Sequence, residues 1–160
     1  MQANLFIDGD ECTVIQADGM IFSTPTGSTA YNISAGGSLI SPTVPCIALT
    51  PICPHTLSFR PVVVSDETII HIEIPKTARF DASISFDGRN HAPLFKGDVV
   101  EIIKCPYPVP TFKSARFNVE WFKGLVTKFN WNIREVQKPF PPTTPIPNED
   151  NTEEQVVDGK

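Results

Sequence analysis

The residues best suited to chemistry fall in one run, Asp18-Gly19-Met20-Ile21-Phe22-Ser23-Thr24-Pro25-Thr26-Gly27-Ser28-Thr29-Ala30-Tyr31-Asn32. The pattern predicts a strand, a tight Pro/Gly turn bearing the hydroxyls of Thr24, Thr26, Ser28 and Thr29, and a helix start. At such a junction the first backbone N–H groups lack intrahelical partners, and the positive helix end favours an anion or a polar ligand. Gly27 lets backbone approach a ligand closely, Ser28 and Thr29 can cap or donate, and Tyr31 can stack on a base or ribose. Asp18 is a natural acceptor for ribose hydroxyls. The same residues also suit a purely local task, because Ser and Thr around a Pro-Thr-Gly turn satisfy that turn and cap the helix after it.

Several familiar chemistries are excluded by spacing. No glycine is followed, after four intervening residues, by Gly-Lys-Ser/Thr, no GxGxxG occurs, and no run forms the Gly-x-Ser-x-Gly elbow of serine hydrolases. Cys12, Cys46, Cys53 and Cys105 form no CxxC pair, and Cys53-Pro54-His55 lacks zinc-finger spacing, so no metal site is expected and the cysteines read as reduced thiols. His55 reads as a packed or turn histidine. Arg60 suits either a phosphate or a surface ion pair. Asp87-Gly88 has the composition of a type I′ turn, with a ligand-side carboxylate as the other reading.

These residues need a scaffold, and the surrounding pattern is mainly β. Runs rich in β-formers at 12–16, 20–23, 46–51, 62–65 and 68–74 are separated by turn signals. Residues 68–74 alternate, as a strand with one buried and one wet face does. Residues 82–86 and 98–104 read as hairpin-connected strands, and Asp8-Gly9-Asp10 as a hairpin turn. Two segments depart from this pattern: a short helix over 28–35 ending at Gly36-Gly37, and a helix over 118–129 with Asn118 as N-cap. Its stripe of Trp121, Phe122, Leu125, Val126 and Phe129 reads as a packing surface. The expected architecture is a β-sandwich-like domain with a short helix after the Gly27 turn and a C-terminal helix.

Composition supports one domain and removes some partners. Of 160 residues, 16 are proline and 19% are charged, which disfavours a helical bundle. The net charge of -5 has the wrong sign for gripping nucleic acid. No run reaches the roughly 20 apolar residues of a bilayer helix, and residues 1–10 do not resemble a signal peptide, so an intracellular, cytoplasmic protein is expected. Beyond residue 138 the chain changes character, with five prolines, five acidic residues and one lysine over 139–160. That tail is expected to be disordered, with Pro139-Phe140-Pro141-Pro142 a candidate SH3-type ligand, and it holds most of the chain's acidity.

The string Ser23-Thr24-Pro25-Thr26-Gly27-Ser28-Thr29-Ala30-Tyr31-Asn32, preceded by Asp18-Gly19 and followed by Ser34-Ala35-Gly36-Gly37, resembles the signature of the ATP-NAD kinases. Residues 50–61 and Ser85-Phe86-Asp87-Gly88-Arg89 resemble two further motifs of that family, in the same order. The resemblance covers roughly 14–134 and is similar to the eukaryotic branch. It implies phosphoryl transfer from ATP, with Mg or another divalent cation, to the 2′-hydroxyl on the adenosine side of NAD, giving NADP. It also places Asp18, Thr26, Thr29, Ala30 and Tyr31 on NAD-contacting positions, with Asp18 reaching the nicotinamide riboside end within one subunit or across a subunit interface, and Asn32, Ser34, Asp87 and Gly88 as secondary candidates. The hydroxyl string argues against the related lipid kinases.

The family's Gly-Gly-Asp-Gly, which supplies the catalytic aspartate, does not occur in the chain, and no Asn-Glu pair precedes Asp18. The resemblance therefore implies an all-β, NAD-binding C-terminal domain over 1–138, with no catalytic residue of its own. Its implied partners are NAD or NADP and either an N-terminal domain or further copies of the chain. The other function implied is a non-catalytic NAD(P)-binding or assembly module paired with full-length kinase subunits.

Overall fold

The computed structural model describes residues 1–112 and 114–134, so the proline-rich acidic tail and its boundary near residue 138 lie outside the described residues. The chain falls into two units, Met1–Lys123 and Gly124–Lys160. The first begins with a hairpin, β1 (Gln2–Ile7) and β2 (Asp10–Gln16). Asp8 and Gly9 both have positive φ, 51° and 93°, as a type I′ turn requires. That turn is tied inward, because Ile69 N donates to Asp8 Oδ1 at 2.9 Å and Asp8 N to Ile69 O at 2.9 Å.

The hairpin joins β6 (Ile70–Glu73) and β9 (Val99–Ile102) in a four-stranded sheet ordered β2-β1-β6-β9. Strands β3 (Gly19–Ser23), β4 (Cys46–Ile52) and β5 (Val62–Ser65) form a second sheet in that order, and every neighbouring pair in both is antiparallel. Ala3, Leu5, Ile15, Ile70, Ile72 and Ile74 from the first sheet and its margins pack with Ile47 and Leu49 of β4. Such an aliphatic layer between two sheets is the core of a sandwich, driven by removal of apolar surface from water. The expected alternation of 68–74 is present: Ile70, Ile72 and Ile74 are buried, while His71 turns outward and bonds Glu101 of β9 at 3.0 Å.

The central strand β4 differs from the rest, since Cys46 to Pro51 are all buried. Its odd residues Ile47 and Leu49 enter the inter-sheet core. Of the even ones, Cys46 and Ala48 form a second cluster with Ile40. A strand covered on both faces loses the period-two signal and reads as a continuous apolar run.

Three expectations differ from the fold. Residues 82–86 do not pair with 98–104: β7 (Ala82–Phe86) pairs with β8 (Arg89–Leu94), and β9 pairs with β6. The cause is local, because Asp87 and Gly88 at φ 50° and 69° reverse the chain at once and set Phe86 opposite Arg89. The helix over 28–35 is split into a 3-10 turn (Thr26–Thr29) and a single α turn, α1 (Tyr31–Ser34), hinged at Ala30 with φ -106° and ψ -131°. Helix α2 (Phe117–Phe129) begins before Asn118, with Ser114 Oγ accepting from Arg116 N at 3.2 Å. On α2, Trp121 and Phe122 meet edge to face with centroids 4.8 Å apart, and Leu125 is buried.

All four cysteines are free. Cys46 is buried, and burial first and the Asp66 carboxylate second push its thiol pKa upward. Titration of the native chain with Ellman's reagent should therefore modify Cys12, Cys53 and Cys105 rapidly and Cys46 only after denaturation. Four equally fast thiols would show that the β4 outer face is open.

Candidate functional site

The hydroxyl-rich segment folds as a turn whose side chains alternate between two environments. Pro25 starts the 3-10 turn with helical φ and ψ. Thr24 Oγ1 accepts from Gly27 N at 3.2 Å and lies 3.1 Å from Thr26 Oγ1, so these two hydroxyls brace the turn from outside. Thr29 Oγ1 donates to Thr26 O at 3.2 Å. Ser28 points the other way and is 0% exposed. Its Oγ donates to Pro25 O at 2.7 Å and accepts from Ile40 N at 2.9 Å, tying the turn to the segment that covers β4.

One helical turn further on, Asn32 is 1% exposed and each polar atom of its carboxamide is engaged. Nδ2 donates to Ser28 O at 3.1 Å and Ser38 O at 3.0 Å, and Oδ1 accepts from Thr50 Oγ1 at 2.5 Å. Thr50, 0% exposed, is an even-numbered residue of β4 opposite Ile21 of β3. The turn is thus pinned to the outer face of the second sheet. Gly36, at φ 83°, ends α1, and Gly37 passes so close that a Cβ there would overlap the Asn32 carboxamide.

Burying Ser28 and Asn32 leaves Thr26, Ala30, Tyr31 and Ser34 exposed and Thr29 half-buried. Tyr31 is 62% exposed, and among the described residues its hydroxyl has no hydrogen-bond partner. Asp18 is also exposed, its backbone N–H held by Ile52 O at 2.9 Å and its carboxylate unpaired among the described residues. Asn32 lies over Thr50, the partner of Ile21, three residues along β3 from Asp18, an offset of about 10 Å along the strand. Thr26, Thr29, Ala30, Tyr31 and Ser34 therefore share one short segment, with Asp18 further along the strand that feeds it.

Asp87 and Gly88 sit at the exposed tip of the β7–β8 hairpin, and among the described residues no hydrogen bond links them to the turn. Exposed His55 donates its backbone N–H to Gln16 O at 3.0 Å and serves there as a loop residue. Arg60 is exposed and makes no ion pair among the described residues. A cleft of about 570 Å³ opens beside Thr24 and Pro25, walled by proline, aliphatic, hydroxyl and thiol side chains and flanked by Asp66 and Lys104, which pair at 3.0 Å. Sequence reasoning missed Thr50 and the steric role of Gly37. The available signal was one hydroxyl inside the apolar run Cys46-Ile47-Ala48-Leu49-Thr50.

A two-sheet sandwich that braces a hydroxyl-rich turn against its central strand, and turns an aromatic ring and a carboxylate outward, is a scaffold for a polar ligand. Residues 1–114 match the ATP-NAD kinase C-terminal domain, and the chain belongs to that family. It is 50% identical over 128 residues to an ATP-NADH kinase of Saccharomyces cerevisiae, covering 80% of this chain and 26% of that protein. It is 48% identical over 126 residues to NAD kinase 2, chloroplastic, of Arabidopsis thaliana, covering 79% and 13%. Among solved structures, yeast NADH kinase complexed with NADH superposes with a TM-score of 0.68 at 33% identity over 86% of this chain and 40% of that one. An NAD kinase from Archaeoglobus fulgidus in complex with ATP gives 0.65 at 34% identity over 76% and 47%. The chain spans about a quarter or less of the length of these two curated relatives.

The Gly37 approach gives a direct test of the turn. Gly37→Ala must push the Asn32 carboxamide off its partners and should cost about 1–3 kcal/mol in urea unfolding. Gly27→Ala meets only ordinary contacts at 3.4 Å and should change stability by less than about 0.5 kcal/mol. Equal losses in the two variants would remove the steric argument.

Proposed function

We propose that this chain is the NAD-holding C-terminal portion of an NAD kinase, in which ATP phosphorylates the 2′-hydroxyl on the adenosine side of NAD. The observation that supports this reading most is the outward presentation of Thr26, Thr29, Ala30 and Tyr31 by a turn that buries Ser28 and Asn32. In this reading Tyr31 stacks on a base or ribose, the hydroxyls of Thr26 and Thr29 bond the ligand, and Ala30 keeps the approach open. Asp18 accepts from ribose hydroxyls, an extended dinucleotide spanning the distance along β3, and Ser34 borders the site. Asn32 acts indirectly, because its amide is spent inside the protein. Asp87 and Gly88, at the tip of the separate β7–β8 hairpin, stand as secondary contacts.

ATP supplies the phosphoryl group. For its divalent cation, the described residues offer no group of three His, Cys, Asp or Glu side chains, so the donor set does not fit and no step is assigned to the metal within this chain. No catalytic base is assigned here either; loss of a general base alone costs about 10²–10⁴ in rate. The partner that completes the site is an N-terminal kinase domain or a further copy of the chain, and residues 1–138 act as the domain with 139–160 as a tail. The exposed free thiols of Cys12, Cys53 and Cys105 suit a reducing, cytoplasmic setting.

Isothermal titration of the purified chain should detect NAD or NADP binding. Tyr31→Ala and Thr29→Ala should each weaken it by up to about tenfold, the loss expected for one stacking or hydrogen-bonding contact. The same preparation supplied with ATP and Mg²⁺ should form no NADP. NADP formation would overturn the assignment of catalysis to another part of the kinase, and unchanged affinity in both variants would overturn the site. Co-purification with an intact kinase subunit would favour the companion reading, a non-catalytic NAD(P)-binding or assembly module.

A further inference from the structure

The polar residues buried among the described residues are Ser28, Asn32 and Thr50, and all three belong to one network beneath the turn. The sandwich core is otherwise aliphatic. A network of this kind holds its members to one geometry when every group is satisfied, and loses that property when one partner is removed. This network is satisfied throughout: Thr50 Oγ1 donates to Asn32 Oδ1, Asn32 Nδ2 donates to two carbonyls, and Ser28 Oγ bridges Pro25 O and Ile40 N. Gly37 N donates to Asn32 O at 2.9 Å, so the Asn32 backbone is held as well as its side chain.

We propose that Thr50 is a positioning residue, whose bond to Asn32 holds residues 26–34 in the arrangement that presents Thr29 and Tyr31 to a dinucleotide. The nucleotide clause rests on the function proposed above; the anchoring clause does not. Thr50 touches no ligand. It acts from β4, where its backbone is fixed by pairing with Ile21, and so refers the turn to the most completely buried strand of the sandwich. Tyr31 directly precedes Asn32 on α1, so any rotation of the helical turn that follows release of Oδ1 displaces the Tyr31 ring.

Hydrogen–deuterium exchange of the full chain, paired with NAD titration, tests both clauses. Thr50→Val keeps the β-branched shape and removes the hydroxyl. It should speed exchange of the amides at 26–36 by on the order of tenfold, leave β1 and β6 protected, and raise the NAD dissociation constant by about tenfold. Thr50→Ser restores the donor and should return both readings to within about twofold of the wild type. Ser28→Ala cuts the opposite side of the network and should reproduce the local exchange increase. Unchanged exchange at 26–36 in Thr50→Val overturns the anchor. Exchange that rises equally in β1 and β6 in both Thr50→Val and Ser28→Ala reduces Thr50 to a merely structural residue and also overturns it. Faster local exchange with unchanged affinity overturns the nucleotide clause. A wild-type chain that binds no dinucleotide, yet shows the local exchange response, supports the anchor and overturns the proposed function instead.

Discussion

One buried carboxamide fixes the relation between the sandwich and the turn above it. Asn32 takes a hydroxyl from β4 and gives its two protons to carbonyls on either side of the α1 turn, at Ser28 and Ser38. A carboxamide buried to this degree is costly unless all its bonds are made, so the surrounding chain has few ways to move without breaking one. Gly37 marks how tight that cradle is, for it leaves no room for a Cβ. The parity of β4 follows the same constraint. Its odd residues Ile47 and Leu49 enter the inter-sheet core while Thr50, on the even face, meets the turn, and a one-residue slip would exchange the two sets.

The division of labour among the hydroxyls follows from this pinning. Thr24, Thr26, Ser28 and Thr29 are interchangeable by composition, and any of them could cap a turn or face a ligand. The 3-10 turn rotates successive side chains by about 120°, so once Ser28 is committed inward its neighbours point elsewhere. A helical turn advances about 100° per residue, which carries Tyr31 outward when Asn32 is inward. The exposed set is therefore what remains after the buried network has taken its members. Preorganisation of that set lowers the ordering cost of binding, because the protein side has already lost its freedom on folding.

Much of the scaffold was legible because its signals are local. The Asp8-Gly9 and Asp87-Gly88 turns follow from residues that tolerate positive φ, and β6 from plain alternation. β1 was less visible, since Ala3 and Asn4 dilute its apolar period, and β8 was invisible, because Arg89-Asn90-His91-Ala92-Pro93-Leu94 has little strand character of its own. β8 exists through the turn that folds it onto β7. The partner of β9 depends on which strand edge is free after collapse, which no local pattern encodes. At the site, the run from Asp18 to Tyr31 was readable as strand, turn and helix start. Asn32 and Ser34 looked alike as polar neighbours of that run, yet burial separates them. Thr50 was unreadable as a site residue because its partner is 18 positions away and the contact exists only when β4 and α1 are both in place.

Under the function proposed above, net charge limits what this domain can contribute to phosphoryl transfer. Most of the net charge of -5 lies beyond residue 138, so the sandwich itself is close to neutral and offers no strong field for an anionic donor. Phosphoryl transfer relies on positioning and on cationic stabilisation of the moving group. The turn can meet the first requirement through hydroxyls and an aromatic ring, with the Asp18 carboxylate further along the preceding strand, and it has little with which to meet the second. Under the function proposed here, the acceptor is held by one half and the charged donor handled by another. A rigid acceptor platform suits that arrangement, because a misplacement of about 1 Å at the reacting hydroxyl can cost about a hundredfold in rate.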